Sequence, residues 1–180
     1  MRSLAFFVAL TSSQLIGCAA GDEGLAAIHA DIVSDYRTVA HLSPEDYLKL
    51  HTSDILLLDI REPEEYAVSR IPGAVRVDPS ANAKSALIQI GDVRGKEIIV
   101  YCSVGRRSSN FAAREQATLL EMGAASVSNL ENGIFGWHNE NRELVDAKGT
   151  TDAVHPYDAI WKRYVQRKDK ARYTPLTASK

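Results

Sequence analysis

The chain has 180 residues, of which 45% are hydrophobic and 24% are charged, and its formal net charge is −2. This length suits one α/β domain with short additions, because it can bury a sizeable core while two full domains would be cramped. The sequence contains no nucleic-acid-binding motif, so we expect no nucleic acid among the partners of the protein.

The N-terminal part of the chain has the pattern of an export signal. One basic residue precedes an apolar run, Leu4 to Leu10, which polar and small residues follow. The run is too short to span a bilayer, so residues 1–17 are predicted to be a signal peptide. The stretch LIGC, Leu15 to Cys18, resembles the lipobox of bacterial lipoproteins, in which cleavage before the cysteine leaves a lipidated thiol. The alternative is that Cys18 is an ordinary cysteine near a conventional cleavage site.

The lipobox resemblance implies a location for the protein. A lipid on Cys18 would anchor an exported, periplasmic protein to a membrane. Ala19 follows the cysteine where an aspartate would favour retention in the inner membrane under enterobacterial-type sorting. We therefore expect an anchor in the outer membrane.

Strand and helix patterns alternate along the middle of the chain. Residues 18–33 are small and polar and predict a tether, with some helix around Leu25 to Ser34. Ser43 is a predicted N-cap with Pro44 in the first helical turn. The elements predicted after the tether are a strand at 38–40, the helix opened by Ser43, a buried strand in DILLLDI (54–60), a short helix in REPEEYAVSR (61–70), a turn and strand in IPGAVRVD (71–78), a helix in PSANAKSALIQI (79–90), a buried strand in EIIVYC (97–102), a helix at 108–122, a strand in ASVSNL (125–130) and a short helix in NGIFGWHNE (132–140). This alternation predicts an α/β fold with a mainly parallel central sheet flanked by helices.

Cys102 is an unusual residue for an exported protein. The chain has two cysteines, and if Cys18 carries a lipid, Cys102 has no partner for an intramolecular disulfide. An unpaired thiol under oxidising conditions is a liability unless it is buried or used. A buried core cysteine is the structural alternative, and the neighbours of Cys102 argue against it.

The loop after Cys102 is suited to hold an anion. Cys102 ends a predicted parallel strand just before a helix, which is where open α/β sheets place their ligand sites. Backbone N–H groups that lead into a helix N-terminus favour negative charge, and Gly105 lets the loop curl around the sulfur. With Arg106 and Arg107 beside it, the thiol is predicted to have a pKa below its usual value. Such a loop suits a thiolate, a persulfide or a bound oxyanion equally well.

Three motifs resemble those of the single-domain rhodaneses, a family with a sulfurtransferase fold. The active loop of that family often has the form Cys-x-x-Gly-x-Arg, and here it is Cys102-Ser103-Val104-Gly105-Arg106-Arg107. Upstream, LLLDIREPEEYAVSRIPGAVRV matches the Asp-x-Arg, Glu-Tyr and Ile-Pro-Gly-Ala elements of the family, and downstream LENGIFGW matches its glycine-rich turn and tryptophan. The resemblance covers residues 34–141. One departure is Ser69-Arg70, where family members often have Gly-His, and it adds a cation near the expected site.

The resemblance implies a two-step sulfur transfer. Cys102 would take the outer sulfur of a small anionic donor such as thiosulfate, and the persulfide would pass it to a thiol, cyanide or protein acceptor. The loop from Ser103 to Arg107 would bind the substrate, with Arg106 the better candidate to touch it and Arg107 turned toward Asp59 or Glu65. Asp59 and Arg61 would form a scaffold ion pair that supports the site. No metal and no organic cofactor is implied.

Two alternatives to this function remain open. A cysteine phosphatase or arsenate reductase of related fold needs the spacing Cys-x-x-x-x-x-Arg, and that position is Ser108 here, so the loop is one residue short for clamping phosphate. A sulfur-carrier or partner-binding rhodanese module without catalysis would also keep an intact loop.

The last segment, residues 142–180, lies beyond the resemblance. From Trp161 to the end it contains seven Lys or Arg and one acidic residue. Ile160, Tyr164 and Val165 have a spacing close to helical, which predicts a helix packed on the domain and a frayed basic end. The segment is a candidate for a partner or donor site.

Overall fold

The computed structural model describes residues 20–50 and 54–176, and a five-stranded parallel sheet lies at its centre. The strands of this sheet are β1 (Ala40–Leu42), β2 (Ile55–Asp59), β3 (Val75–Arg76), β4 (Glu97–Tyr101) and β5 (Ser126–Leu130). Their order across the sheet is β1-β5-β4-β2-β3. The α/β fold with a parallel central sheet is therefore confirmed.

Helices flank this sheet, and a small hairpin follows it in the chain. The helices are α1 (Ala20–Asp35), α2 (Pro44–Lys49), α3 (Pro63–Val68), α4 (Ala83–Ile90), α5 (Arg106–Glu121) and α6 (Gly133–Asn139). The antiparallel hairpin consists of β6 (Leu144–Asp146) and β7 (Gly149–Thr151), and two 3₁₀ helices, Trp161–Tyr164 and Lys168–Lys170, follow it. No helix in the described ranges combines the length and apolar character that crossing a bilayer requires.

The two apolar strands predicted to be buried, β2 and β4, lie side by side in the middle of the sheet. They pair in register from Ile55 opposite Glu97 to Asp59 opposite Tyr101. Because successive side chains of a strand point to opposite faces, each strand supplies both halves of the core. Leu58 belongs to the cluster on one face of the sheet, while its neighbour Leu57 belongs to the cluster on the other face.

Several predicted boundaries shift by about one helical turn or less. Ser43 caps α2 as expected, because its side chain accepts a hydrogen bond from the Asp46 N–H at 3.1 Å. The first strand begins later than predicted, since the Val39 N–H bonds to the Tyr36 carbonyl at 3.0 Å in a turn that delays it. Helix α5 begins earlier than predicted, at Arg106, directly after Gly105.

Part of the predicted tether is a packed helix. Helix α1 starts at Ala20, and its Leu25 and Ile32 are 2% and 0% exposed. Gly24 approaches the ring of Tyr164 so closely that an added Cβ would lie 2.7 Å from its Cε1 atom. The packing of α1 was not predicted, because the segment is mostly small and polar and only a few apolar residues make the contact. The predicted signal peptide and Cys18 lie outside the described residues.

Of the helix predicted in the C-terminal segment, the structure has only a short 3₁₀ helix, Trp161–Tyr164. The segment also contains the β6–β7 hairpin and a second 3₁₀ helix. Two hydrogen bonds from one side chain divert the backbone, since the Asn139 amide donates to the Tyr164 carbonyl at 2.9 Å and accepts from the Gln166 N–H at 2.9 Å. Of the residues at helical spacing, Val165 is fully buried while Ile160 is 65% exposed, so they do not form one apolar face.

Candidate functional site

Cys102 lies at the carboxyl end of the central strand β4, immediately before the loop that leads into α5. Cys102 is 1% exposed, and its thiol is not part of a disulfide among the described residues. The chain passes from β2 to β3 on one side of β2 and then crosses to β4 on its other side. The crevice at the carboxyl ends of β2 and β4, where the strand order reverses, is the usual ligand position of such sheets. The sequence predicted this placement.

The loop after Cys102 curls around the sulfur. Gly105 has φ +102°, a left-handed conformation that favours glycine, and its N–H donates to the Cys102 Sγ at 3.2 Å. The carbonyl groups of the loop point the other way, because those of Cys102 and Ser103 accept hydrogen bonds from Ile134 and Phe135 at 2.9 and 3.0 Å. The first turn of α6 thus helps to hold the loop with donors facing the sulfur.

Arg107 turns inward and is fixed by Glu65 of α3. Its two terminal nitrogens donate to the two carboxylate oxygens at 2.7 and 2.9 Å. Ser103 joins the group, since its hydroxyl donates to Glu65 at 2.9 Å and accepts from Arg107 at 3.0 Å. The side chains of Glu65 and Arg107 are 2% and 26% exposed, so this pair is well shielded from water. Of the two partners considered for Arg107 from the sequence, Glu65 is the one that pairs with it.

The pKa of the Cys102 thiol lies below its ordinary value, in the predicted direction. Burial alone would raise this pKa. The charge of Arg107, together with hydrogen bonds from Ser108 and from the Val104 backbone, lowers the pKa by more than burial raises it. A lower thiol pKa means a larger thiolate fraction at neutral pH, and the thiolate is the nucleophilic form.

Ser108 and Asn129 stabilise the far side of the loop. The Ser108 hydroxyl lies 2.6 Å from Asn129 Oδ1 and 3.1 Å from the Gly105 carbonyl. Both residues are 0% exposed. Neither residue was predicted to support the loop, although an asparagine within the strand SVSNL is a signal that could have identified Asn129.

Arg106 lies on the outer side of the loop. It forms an ion pair with Asp35 of α1 at 2.8 Å, and the two side chains are 44% and 54% exposed. Exposed pairs of this kind contribute little to stability, so the guanidinium is easily released to another anion.

The loop forms the floor of a pocket of about 160 Å³. Cys102, Ser103, Val104, Arg106 and Arg107 line it, together with Tyr157 and Trp161. The two aromatic residues come from the segment after the hairpin, and the sequence did not identify them as site residues. Two aromatic side chains one helical turn apart, in a segment that otherwise looks basic and exposed, were the available signal.

Asp59 and Arg61 form a fully buried ion pair below the site. Arg61 donates to both carboxylate oxygens of Asp59, at 2.8 and 2.6 Å, and also to the Ser69 carbonyl at 2.7 Å. The hydroxyl of Tyr101 donates to Asp59 at 2.7 Å. Neither Asp59 nor Arg61 lines the pocket. Through Tyr101 of β4, the pair instead connects β2 to β4 next to Cys102.

Arg70, the cation that departs from the family pattern, lies away from the pocket. Its guanidinium covers the ring of Tyr66 at 4.8 Å and donates to the Asp146 carbonyl of the hairpin at 3.1 Å. Among residues 20–50 and 54–176, no group of three or more His, Cys, Asp or Glu side chains is arranged to hold a metal ion.

Comparisons with known proteins agree with this geometry. The Rhodanese-like domain family matches residues 43–140, more than half of the chain. A sulfurtransferase of Allochromatium vinosum is 32% identical over 98 residues, which cover 54% of this chain and 85% of that protein. The thiosulfate:glutathione sulfurtransferase of Saccharomyces cerevisiae is 37% identical over 106 residues, which cover 53% and 73%.

A solved structure shows the same fold. The BH2092 protein of Bacillus halodurans aligns with a TM-score of 0.50 at 22% identity, over 68% of this chain and 88% of that chain. The relatives named as sulfurtransferases support a sulfurtransferase-type function. The family match, the central parallel sheet and the cysteine loop together identify the chain as a member of the rhodanese-like domain family.

Proposed function

We propose that the protein transfers a sulfane sulfur from a small anionic donor, such as thiosulfate, to a thiol, cyanide or protein acceptor. The sulfur is held in between as a persulfide on Cys102. The observation that supports this most directly is the position of the Cys102 Sγ, buried in the loop with the Gly105 N–H at 3.2 Å and beside the charge of Arg107.

The first step uses the groups around Cys102. The thiolate attacks the outer sulfur of thiosulfate, the S–S bond of the donor breaks, and sulfite leaves with the electron pair. The terminal persulfide sulfur then carries the negative charge within the loop, where N–H donors stabilise it. In the second step the acceptor thiolate or cyanide attacks this sulfur, and Cys102 leaves as a thiolate.

Arg106 binds the donor in this proposal. It lines the pocket, and its half-exposed pairing with Asp35 can be exchanged for a donor anion. Arg107 stays bound to Glu65 and acts mainly through its charge on the thiol.

Replacing Arg106 tests this assignment. Because the contact binds ground and transition states alike, Arg106→Ala should raise KM for thiosulfate more than it lowers kcat. The loss in kcat/KM should be about tenfold to a hundredfold. Arg94→Ala removes an equally charged side chain that is 78% exposed and pairs with Asp92, and it should leave both constants unchanged. Equal effects of the two variants would contradict the role of Arg106.

The catalytic assignment is tested by Cys102→Ser. This variant should neither gain a sulfur atom from thiosulfate nor form thiocyanate from cyanide. Transfer activity that survives the substitution would refute the persulfide route.

A phosphatase function is disfavoured by the engagement of Arg107. Both of its terminal nitrogens already bond to Glu65, which leaves no free fork for a tetrahedral oxyanion. The unmodified protein should therefore turn over thiosulfate and leave aryl phosphates almost untouched. Insertion of one glycine between Gly105 and Arg106 should shift the preference toward tetrahedral oxyanions. Efficient hydrolysis of an aryl phosphate without persulfide formation would refute the proposed function.

We also propose that the protein is exported and anchored by a lipid on Cys18, in the outer membrane. The support is the motif from Leu15 to Cys18 and the following Ala19. In a bacterial host, the protein should be cleaved before Cys18 and found in the membrane fraction. Cys18→Ala should either release the protein from the membrane or block its cleavage. A soluble periplasmic product with an unmodified Cys18 would contradict the anchor.

A further inference from the structure

The pocket above Cys102 has a wall that the family match does not include. Tyr157 and Trp161 line the pocket, while the rhodanese-like match ends at residue 140. A donor that reaches Cys102 therefore meets two aromatic side chains as well as the loop and its cations.

Tyr157 has a strained backbone. Its φ is +66°, a left-handed conformation that is rare for a bulky residue and costs about 1–2 kcal/mol. The side chain is not placed there for burial, because the residue is 45% exposed. Its ring instead lies against the Arg107 guanidinium, 4.9 Å from the ring centre to Cζ. Strain of this kind persists where the surrounding structure requires it, often at functional sites.

Hydrogen bonds and packing fix the wall in place. The Tyr157 N–H donates to His155 Nδ1 at 3.1 Å, and the Asp158 carboxylate accepts from the N–H groups of Ile160 and Trp161 at 2.8 Å each. Val165 is 0% exposed and anchors the end of the segment in the core. Hydrogen bonds and a buried side chain thus hold the backbone that carries the two rings.

The size and chemistry of the pocket exceed the needs of thiosulfate. Its volume of about 160 Å³ is close to the roughly 150 Å³ of an engineered apolar cavity that accommodates benzene. The aromatic faces of Tyr157 and Trp161 offer nothing to a small inorganic anion, whereas they can stack on a ring. Arg106 supplies the exchangeable cation that an anionic group requires, and Arg107, still paired with Glu65, adds its positive charge.

We propose that Tyr157 and Trp161 make this pocket select organic sulfane-sulfur donors, with a ring-sized apolar body beside the anionic group, over thiosulfate. The inference rests on the proposed sulfurtransferase function. With an aryl thiosulfonate, the Cys102 thiolate attacks the terminal sulfur, the bond between that sulfur and the sulfonyl sulfur breaks, and an arenesulfinate leaves with the electron pair. The product on the enzyme is the same persulfide.

The experiment compares benzenethiosulfonate, methanethiosulfonate and thiosulfate as donors. For each variant, the kcat/KM of each donor is divided by the kcat/KM of methanethiosulfonate, and this ratio is compared with the same ratio in the wild type. The comparison cancels the intrinsic reactivity of each donor. Trp161→Ala and Tyr157→Gly should each lower the benzenethiosulfonate ratio at least about fivefold, the loss of one ring contact. The thiosulfate ratio should stay the same.

The choice of test variant at Tyr157 and two controls keep the comparison specific to the rings. Tyr157→Gly suits the left-handed backbone, so it removes the ring without adding strain. Tyr157→Phe keeps the ring and should keep the selectivity. Ile160→Ala changes a neighbour of Trp161 that is 65% exposed and does not line the pocket, and it should have no effect.

A binding measurement complements the kinetics without sulfur transfer. Benzenesulfinate should protect Cys102 from alkylation by iodoacetamide better than methanesulfinate does, and Trp161→Ala should abolish the difference. If all donors load Cys102 but the ring deletions leave the ratios unchanged, the inference is overturned and the sulfurtransferase function stands. If no donor loads Cys102, the proposed function fails and the inference fails with it.

Discussion

At the scale of single residues, two adjacent arginines in one loop have different surroundings. The sequence places Arg106 and Arg107 side by side, and the arginine of the family pattern Cys-x-x-Gly-x-Arg falls on Arg107. In the fold, Arg107 turns toward buried Glu65, while Arg106 turns outward to Asp35. The resemblance offered Glu65, 42 positions from Arg107, as one of two partners, whereas Asp35, 71 positions from Arg106, could not be located from local sequence. The position of Cys102 at the end of its strand and the form of its loop were predictable because these residues are contiguous in the chain.

The charge of Arg107 is expected to set the reactivity of Cys102. Its removal in Arg107→Met should raise the thiol pKa, because the nearby positive charge that favours the thiolate is lost. The midpoint of the pH profile of Cys102 alkylation should therefore move upward. The double variant Glu65→Gln/Arg107→Met avoids an unpaired buried carboxylate and should show the same shift. Arg106→Met should leave the midpoint in place, and a shift as large as that of Arg107→Met would contradict the distinction between the two arginines.

Glu65 should make the stability of the protein dependent on pH. Burial would raise its pKa, but the hydrogen bonds and charge of Arg107 and the charge of Arg61 lower it below the ordinary value of 4.5. A carboxylate with a lowered folded-state pKa stabilises the protein above the unfolded-state pKa, and this contribution is lost as the pH falls through the folded value.

The test compares wild type with Glu65→Gln by urea unfolding at neutral pH and at several values below 4.5. The difference in free energy of unfolding should be largest at neutral pH and shrink on acidification. A difference that stays constant over this range would show that ionised Glu65 contributes nothing to folding.

At the scale of elements, the site depends on the contact between α6 and the loop after β4. Gly133 begins α6 at φ +53°, and an added Cβ would lie 2.3 Å from the Cys102 carbonyl oxygen. The sequence indicated the glycine-rich turn but not what it approaches. Gly133→Ala should therefore displace the loop, destabilise the protein by about 1–3 kcal/mol and slow sulfur loading of Cys102.

Gly95→Ala is the matched control for this change. Gly95 also has a left-handed φ, +69°, but an added Cβ would have no neighbour within 4 Å. The variant should show the backbone cost alone, about 1 kcal/mol, with normal sulfur loading. If Gly133→Ala loads sulfur as fast as Gly95→Ala does, α6 does not hold the loop.

The elements that could be predicted most directly from the sequence are those with continuous apolar runs. Strands β2 and β4 were readable because they are continuous apolar runs. The C-terminal segment was misread because its spacing looked helical while its conformation depends on the distant amide of Asn139. The same error concealed the aromatic wall of the pocket.

At the scale of the whole molecule, the C-terminal segment belongs to the core. Leu144, Val154 and Val165 are at most 1% exposed and pack in the cluster that contains Leu57 and Ile99 of the central strands. A domain boundary at residue 141, as the family resemblance predicts, would cut through this cluster.

A chain that ends at residue 141 should therefore fold poorly. Loss of three buried aliphatic side chains removes about 5 kcal/mol or more of apolar burial, comparable with the whole stability of a typical domain. Thermal unfolding of this truncation should be non-cooperative or strongly shifted to low temperature. A chain that ends at residue 176 keeps all these contacts and should melt like the full chain. Cooperative unfolding of the short chain near the wild-type Tm would show that residues 34–141 are an independent unit.

The central claim is that Cys102 carries the transferred sulfur, and intact-mass measurement after incubation with thiosulfate tests it most directly. The wild-type protein should gain the mass of one sulfur atom and lose it again when cyanide or a thiol is added, while Cys102→Ser should gain nothing. An unchanged wild-type mass, or an equal gain in the serine variant, would contradict the account.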